Sequence, residues 1–100
     1  MDPALPDLQI ADVVASTAGR DVDKWYYVIN LDETYLYLAN GKDRRIEKPK
    51  RKKRKHAVKV LRSETRVAAK LRAGDKVLNR ELRRDLAYLS QHMQRNNLGG

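Results

Sequence analysis

One hundred residues make a single domain's worth of chain, carrying a formal charge of +9, a pI near 10.0 and a hydrophobic fraction of only 41%. An excess of positive charge on this scale points to a polyanionic partner. The absence of cysteine excludes disulfides, thiolate zinc sites and thiol nucleophiles.

The first residues, Met1 to Asp7, are acidic and broken by Pro3 and Pro6. A signal peptide needs a basic start and an apolar run, and nothing in the chain approaches the roughly 18 apolar residues of a membrane span. The expectation is a cytoplasmic protein with flexible ends at 1–7 and 98–100. From Asp12 the hydrophobic period is two. Asp12 to Ser16 is a short strand, and Lys24 to Leu31 is a second, rich in aromatic and β-branched residues. In it Trp25, Tyr27, Ile29 and Leu31 share one side, with Lys24, Tyr26, Val28 and Asn30 on the other. Thr34 to Ala39 sets Leu36 and Leu38 against Tyr35 and Tyr37. Asn40-Gly41 is the turn dipeptide of a tight hairpin, which makes Asp43 to Glu47 the expected return strand. His56 to Leu61 is a further strand. Four or five short strands without intervening helices exclude a parallel βαβ layout and imply a small twisted or barrel-like sheet.

At Ser63 the period changes to 3.6. Ser63 is the expected N-cap of a short helix in which Val67 and Leu71 lie one turn apart and Gly74 is the stop. Asn79 is the expected cap of a longer helix. Along it Leu82, Leu86, Leu89 and Met93 form one apolar stripe, which has to dock on something apolar. The opposite face collects Arg80, Arg84, Tyr88 and Arg95, with Arg84 placed to pack over the Tyr88 ring. Asn96 to Gly100 is expected to fray.

Charge is distributed unevenly among these elements. Residues 1–41 sum to −5, residues 42–62 to +10 and residues 63–100 to +4. Ten of the fourteen residues from Lys42 to Lys55 are basic, and the densest run, Lys48 to Lys55, reads as a loop or ragged strand edge because its charges repel. Catalytic patterns are missing. His56 and His92 are the only imidazoles, and they lie in unrelated settings. Gly41-Lys42 lacks the glycine and the hydroxyl of a phosphate loop, and Asp21 and Asp23 lack the remainder of a calcium loop. Glu81 and Asp85 are surface acids on one helix. No enzyme activity, cofactor, metal or small-molecule substrate is expected.

The stretch Val13-Val14-Ala15-Ser16-Thr17-Ala18-Gly19-Arg20-Asp21 is followed by the aromatic strand, Asn40-Gly41 and Arg44-Arg45-Ile46-Glu47-Lys48-Pro49-Lys50. In these features the chain resembles the small bacterial KOW-motif RNA-binding proteins, which are similar to a group of archaeal and eukaryotic large-subunit ribosomal proteins. The resemblance covers roughly residues 8–62 and, more loosely, the C-terminus, where Asn79-Arg80-Glu81-Leu82-Arg83 looks like the family's helix start. It implies an α+β, β-rich fold: an SH3-like KOW barrel over 8–62 with a basic loop at 48–55, and two helices over 63–97 packed on it. It also implies binding to ribosomal RNA or the large subunit, in translation or ribosome assembly. Where the family pattern has glycine this chain carries Ala11 and Asp23, so Gly19 alone is kept. Aspartate tolerates left-handed backbone, so the turn at Asp23 is expected to survive.

The expected RNA-binding residues are Lys42, Arg44, Arg45, Lys48, Lys50, Arg51, Lys52, Lys53, Arg54, Lys55 and His56. The resemblance adds Gly19, Arg20 and Lys24 at the first turn. Tyr26, Tyr35 and Tyr37 are candidates for stacking on bases, with core packing as the competing use of each ring. Arg80, Arg84, Tyr88 and Arg95 form a candidate second basic face. The expected partners are RNA, ribosomal or other translation proteins, and no membrane. Two other readings remain open at this point: an adaptor that recruits a translation or transcription factor, and a KOW-type DNA-binding protein.

Overall fold

The computed structural model describes residues 7–99, and the side chains as far as Met93. The chain forms β1 (Asp12–Ser16), β2 (Trp25–Leu31), β3 (Tyr35–Ala39), β4 (Lys50–Lys53), a single 3-10 turn (Arg54–His56), β5 (Ala57–Arg62), α1 (Arg66–Ala73) and α2 (Asn79–Gly99). The five strands make one antiparallel open sheet in the order β4-β3-β2-β1-β5, followed by the two helices.

That order has a geometric consequence. β4 and β5 are opposite edges of the sheet, yet three residues join them. Five flat strands would separate the edges by about 19 Å, whereas a 3-10 turn of three residues advances only about 6–8 Å. The sheet is therefore strongly curled. Two bulges contribute twist: Ile29 is the extra residue of β2 opposite β3, and Val60 that of β5 opposite β1.

Curling gives the sheet two buried faces. The inner one holds Val14, Tyr26, Val28, Leu36 and Leu38 with Leu8. The outer one places Val13, Tyr27 and Ala39 under Val67 and Ala68 of α1, Val77, and Leu82, Leu86 and Leu89 of α2. The leucine stripe docks as its spacing requires, each leucine contributing about 1.5–3 kcal/mol by burial. A polar cluster fastens the helices to the sheet. The buried Tyr27 hydroxyl donates to the Asp85 carboxylate and lies 2.8 Å from Ser63 Oγ, while Thr65 Oγ1 donates to Asp85 at 2.8 Å. Burial, with Asp85 alongside, pushes the Tyr27 phenol up to about 12. Tyr27→Phe removes the donor and is expected to cost about 1–3 kcal/mol. The check is a lower urea midpoint with an unchanged denaturant slope.

Several expectations need correction. Leu31 packs with the inner core rather than with Trp25 and Tyr27, because the bulge at Ile29 reverses the alternation. Asn40-Gly41 opens a ten-residue connection instead of a two-residue hairpin, and Asp43 to Glu47 lies in turns rather than in a strand. The return strand is β4, made from residues of the expected basic loop 48–55. Thr65, not Ser63, caps α1, accepting from Ala68 N at 3.2 Å, while Gly74 ends the helix in left-handed geometry as expected. α2 is capped by backbone at Leu78, whose N–H donates to the Glu81 carboxylate, and Asn79 is already helical. α2 runs through Leu98 to Gly99. The flexible ends expected at 1–6 and at Gly100, and the side chain of Arg95, lie outside the described residues.

Candidate nucleic-acid interface

β4 divides its charges by strand alternation. Lys50 and Lys52 pair with Leu38 and Leu36 and point inward, whereas Arg51 and Lys53 pair with Tyr37 and Tyr35 and point outward. The inward pair meets Asp21, which the β1–β2 connection carries beneath the sheet. Lys50 Nζ reaches Asp21 Oδ2 at 2.6 Å and Lys52 Nζ reaches Oδ1 at 3.0 Å. Ser16 Oγ and the Tyr26 hydroxyl donate to the same carboxylate at 2.9 and 3.2 Å. Lys52 Nζ also donates to the Ala18 carbonyl at 3.0 Å. Burial alone pushes the Asp21 carboxyl up, but the hydrogen bonds from Lys50, Lys52 and Ser16 outweigh it and hold it well below the usual range. Burial, with Asp21 nearby, pushes the Tyr26 phenol up to about 12.

Four sequence-predicted site residues thereby have partners or roles within the fold. Lys52 is buried in an ion pair with Asp21, and the partly exposed Lys50 pairs with the same carboxylate. Tyr26 is buried in the inner core, so it has no free face for stacking. Gly19, with φ +85°, shapes the connection that delivers Asp21. Arg20 is exposed and makes no ion pair among the described residues, whereas Lys24 is bound to Asp43 at 2.8 Å.

The remaining basic side chains are spread over the outer face of β4, the 3-10 turn and the 40–49 connection. Arg51, Lys53 and Lys55 are exposed. Arg54 is half-buried, its Nε donating to the Asp32 carbonyl at 2.9 Å, and His56 is half-buried as well. Lys42, Arg44, Arg45 and Lys48 are exposed along a connection that is firmly shaped. Asn40 Oδ1 accepts from the N–H groups of Lys42 and Arg44 at 2.9 and 3.0 Å, closing a local turn. Ile46 packs into the outer core. Asn79 is the hub of this region. Its Oδ1 accepts from Ile46 N at 2.8 Å, and its Nδ2 donates to both Glu47 carboxylate oxygens at 3.0 Å. Arg83 donates to the Gly41 carbonyl at 2.7 Å. The connection is thus tied to the first turns of α2, where Arg80 and Arg84 are exposed. The roles of Asn79 and Arg83 escaped the sequence reading, since neither residue type signals a partner some thirty to forty positions away.

Aromatic side chains lie on the outer face of β3 and on α2. Tyr35 and Tyr37 are half-buried, with the Arg51 guanidinium 4.5 Å above the Tyr35 ring. On α2, Tyr88 is exposed and stacks on His92, with centroids 5.7 Å apart and planes 11° apart, instead of lying under Arg84. Among the described residues no group of three or more His, Asp or Glu is placed to hold a metal ion, and no helix is long and apolar enough to cross a membrane. Comparison with family models and with curated proteins finds no match.

Proposed function

We propose that this chain is a non-catalytic RNA-binding module of the KOW type, with an SH3-like barrel presenting one basic side to ribosomal RNA or the large subunit. The observation that carries the reading is the segregation of charge. Arg51 and Lys53 stand on the outer face of β4, the 40–49 connection that leads into β4 exposes Lys42, Arg44, Arg45 and Lys48, and that connection is pinned to α2, beside Arg80 and Arg84. Such a band gains affinity by releasing the counterions condensed on phosphates. Two backbone facts support the family reading. Ala11 and Asp23, which stand where the family pattern has glycine, are the two non-glycine residues with positive φ among the described residues, each at 71°. The curl required by the β4–β5 connection is also what an SH3-like barrel needs.

Salt titration of binding to single-stranded RNA tests the assignment of charges. Half to all of the seven exposed bases in 42–55 on phosphates give a slope of log K against log salt of roughly −2.5 to −5. The Arg51→Gln/Lys53→Gln variant is expected to flatten it by about 1.4. Lys52→Gln is expected to lower stability and leave the slope alone. Co-sedimentation with large ribosomal subunits in moderate salt tests the ribosomal assignment. Failure to co-sediment, together with no preference for RNA over heparin, overturns the reading. A protein pulldown that survives neutralisation of the band favours the adaptor, and equal affinity for duplex DNA favours the DNA-binding alternative.

A further inference from the structure

Attraction to phosphate does not distinguish an unpaired strand from a duplex, whereas aromatic faces do, because a duplex keeps its bases stacked inside. Tyr35 and Tyr37 are two residues apart on β3, about 6.8 Å along the strand, and both stand on the outer face opposite Leu36 and Leu38. The helices cover this face over Val13, Tyr27 and Ala39 and leave the two rings partly accessible. The rings are also preset. Asp32 Oδ1 accepts from the N–H groups of Thr34 and Tyr35 at 2.9 and 2.7 Å, while its Oδ2 accepts from the Tyr37 hydroxyl at 3.4 Å. Arg51, opposite Tyr37 in register, reaches diagonally to place its guanidinium carbon 4.5 Å from the centre of the Tyr35 ring. Lys53, opposite Tyr35, is exposed at the edge of the pair.

We infer that the outer face of β3 and β4 is a stacking platform for unpaired nucleotides, with one base on Tyr37, the next on the Arg51–Tyr35 pair, and Lys53 on the phosphate beside them. This rests on the RNA-binding reading above and specifies the kind of RNA: a single-stranded loop, bulge or end rather than a helix. Bases are gripped by their faces, so the platform is tolerant of sequence.

The test compares a short single-stranded oligoadenylate with an RNA duplex carrying the same number of phosphates, by fluorescence anisotropy. The Tyr35→Leu/Tyr37→Leu variant keeps apolar volume on the strand and removes both ring faces. It is expected to lose roughly ten-fold or more in affinity for the oligoadenylate, to keep its affinity for the duplex, and to keep its salt slope. The Tyr35→Phe/Tyr37→Phe variant, which retains the ring faces, is expected to bind like the unsubstituted chain. Retained duplex binding shows that the leucine variant is folded. An equal loss on both nucleic acids, or no loss on the oligoadenylate while Lys53→Gln still weakens it, overturns the platform and leaves the RNA-binding reading standing. If the unsubstituted chain binds neither RNA, the RNA-binding reading itself falls and the platform with it.

Discussion

Asp21→Ala is expected to cost about 3–5 kcal/mol, the range measured when one member of a buried ion pair is removed. Asp21 and Lys52 side chains are each only 8% exposed, so losing the carboxylate strands a buried ammonium. Lys50, at 26%, is able to swing towards water and recovers part of its loss. The Ser16 and Tyr26 hydroxyls lose their acceptor as well. For a domain of this size, with total stability of about 5–15 kcal/mol, the variant is expected to unfold at a much lower urea concentration. Adding Lys52→Met to Asp21→Ala is expected to recover much of the loss, because an apolar side chain does not need the missing counter-charge. A double-mutant cycle measures that coupling. Acid probes the same site in the unsubstituted protein. The folded carboxyl is held below its ordinary value of 3.8, so the stabilisation is fully present above that value and drains away as pH falls beneath it. Asp21→Asn is expected to flatten this acid limb. An acid limb unchanged in Asp21→Asn would show that Asp21 does not carry it.

Gly41→Ala is expected to cost about 2–4 kcal/mol, from left-handed backbone and overpacking together. Gly41 has φ +76°, and a Cβ placed there would lie 2.1 Å from the Asn79 carbonyl oxygen and 2.9 Å from its carbon. Those atoms belong to the first turn of α2, which has no flexible end to move aside. The 40–49 connection then lifts from the helix, releasing the Ile46 N–H from Asn79 and the Gly41 carbonyl from Arg83. The measurement is paired: a lower urea midpoint, and faster hydrogen exchange at the Ile46 amide than in Arg83→Ala, which loses one tie and keeps the close contact. Equal exchange in the two variants would refute the steric account.

The strands that alternate in polarity were legible before any coordinates. β1, β2, β3 and β5 each present a patterned sequence, and their positions follow from it within a residue or two. β4 does not, because in Lys50-Arg51-Lys52-Lys53 both faces are cationic and the contrast on which periodicity depends has vanished. Its inward half is recognisable only from Asp21, some thirty residues upstream. Asn40-Gly41 suits a hairpin and an open connection equally well, and the contact with Asn79 decides between them. Ser63 and Thr65 are both competent caps. Ser63 is drawn away by Tyr27, and Thr65 takes the helix. The exposed bases of the candidate interface were legible as charge, but which lysines are spent internally was not.

The three-residue passage from one sheet edge to the other bears on how the chain assembles. β1 pairs with β5 between Asp12 and Arg62, and closing such a separation directly costs about 3 kcal/mol of chain entropy. Neighbouring hairpins avoid that cost. Once β1, β2, β3 and β4 are paired in succession and curved, β5 is delivered beside β1 by the 3-10 turn alone. Curvature is therefore a precondition for that pairing, and of the two bulges only that at Ile29 lies in strands paired beforehand, the one at Val60 forming with the β1–β5 pair itself.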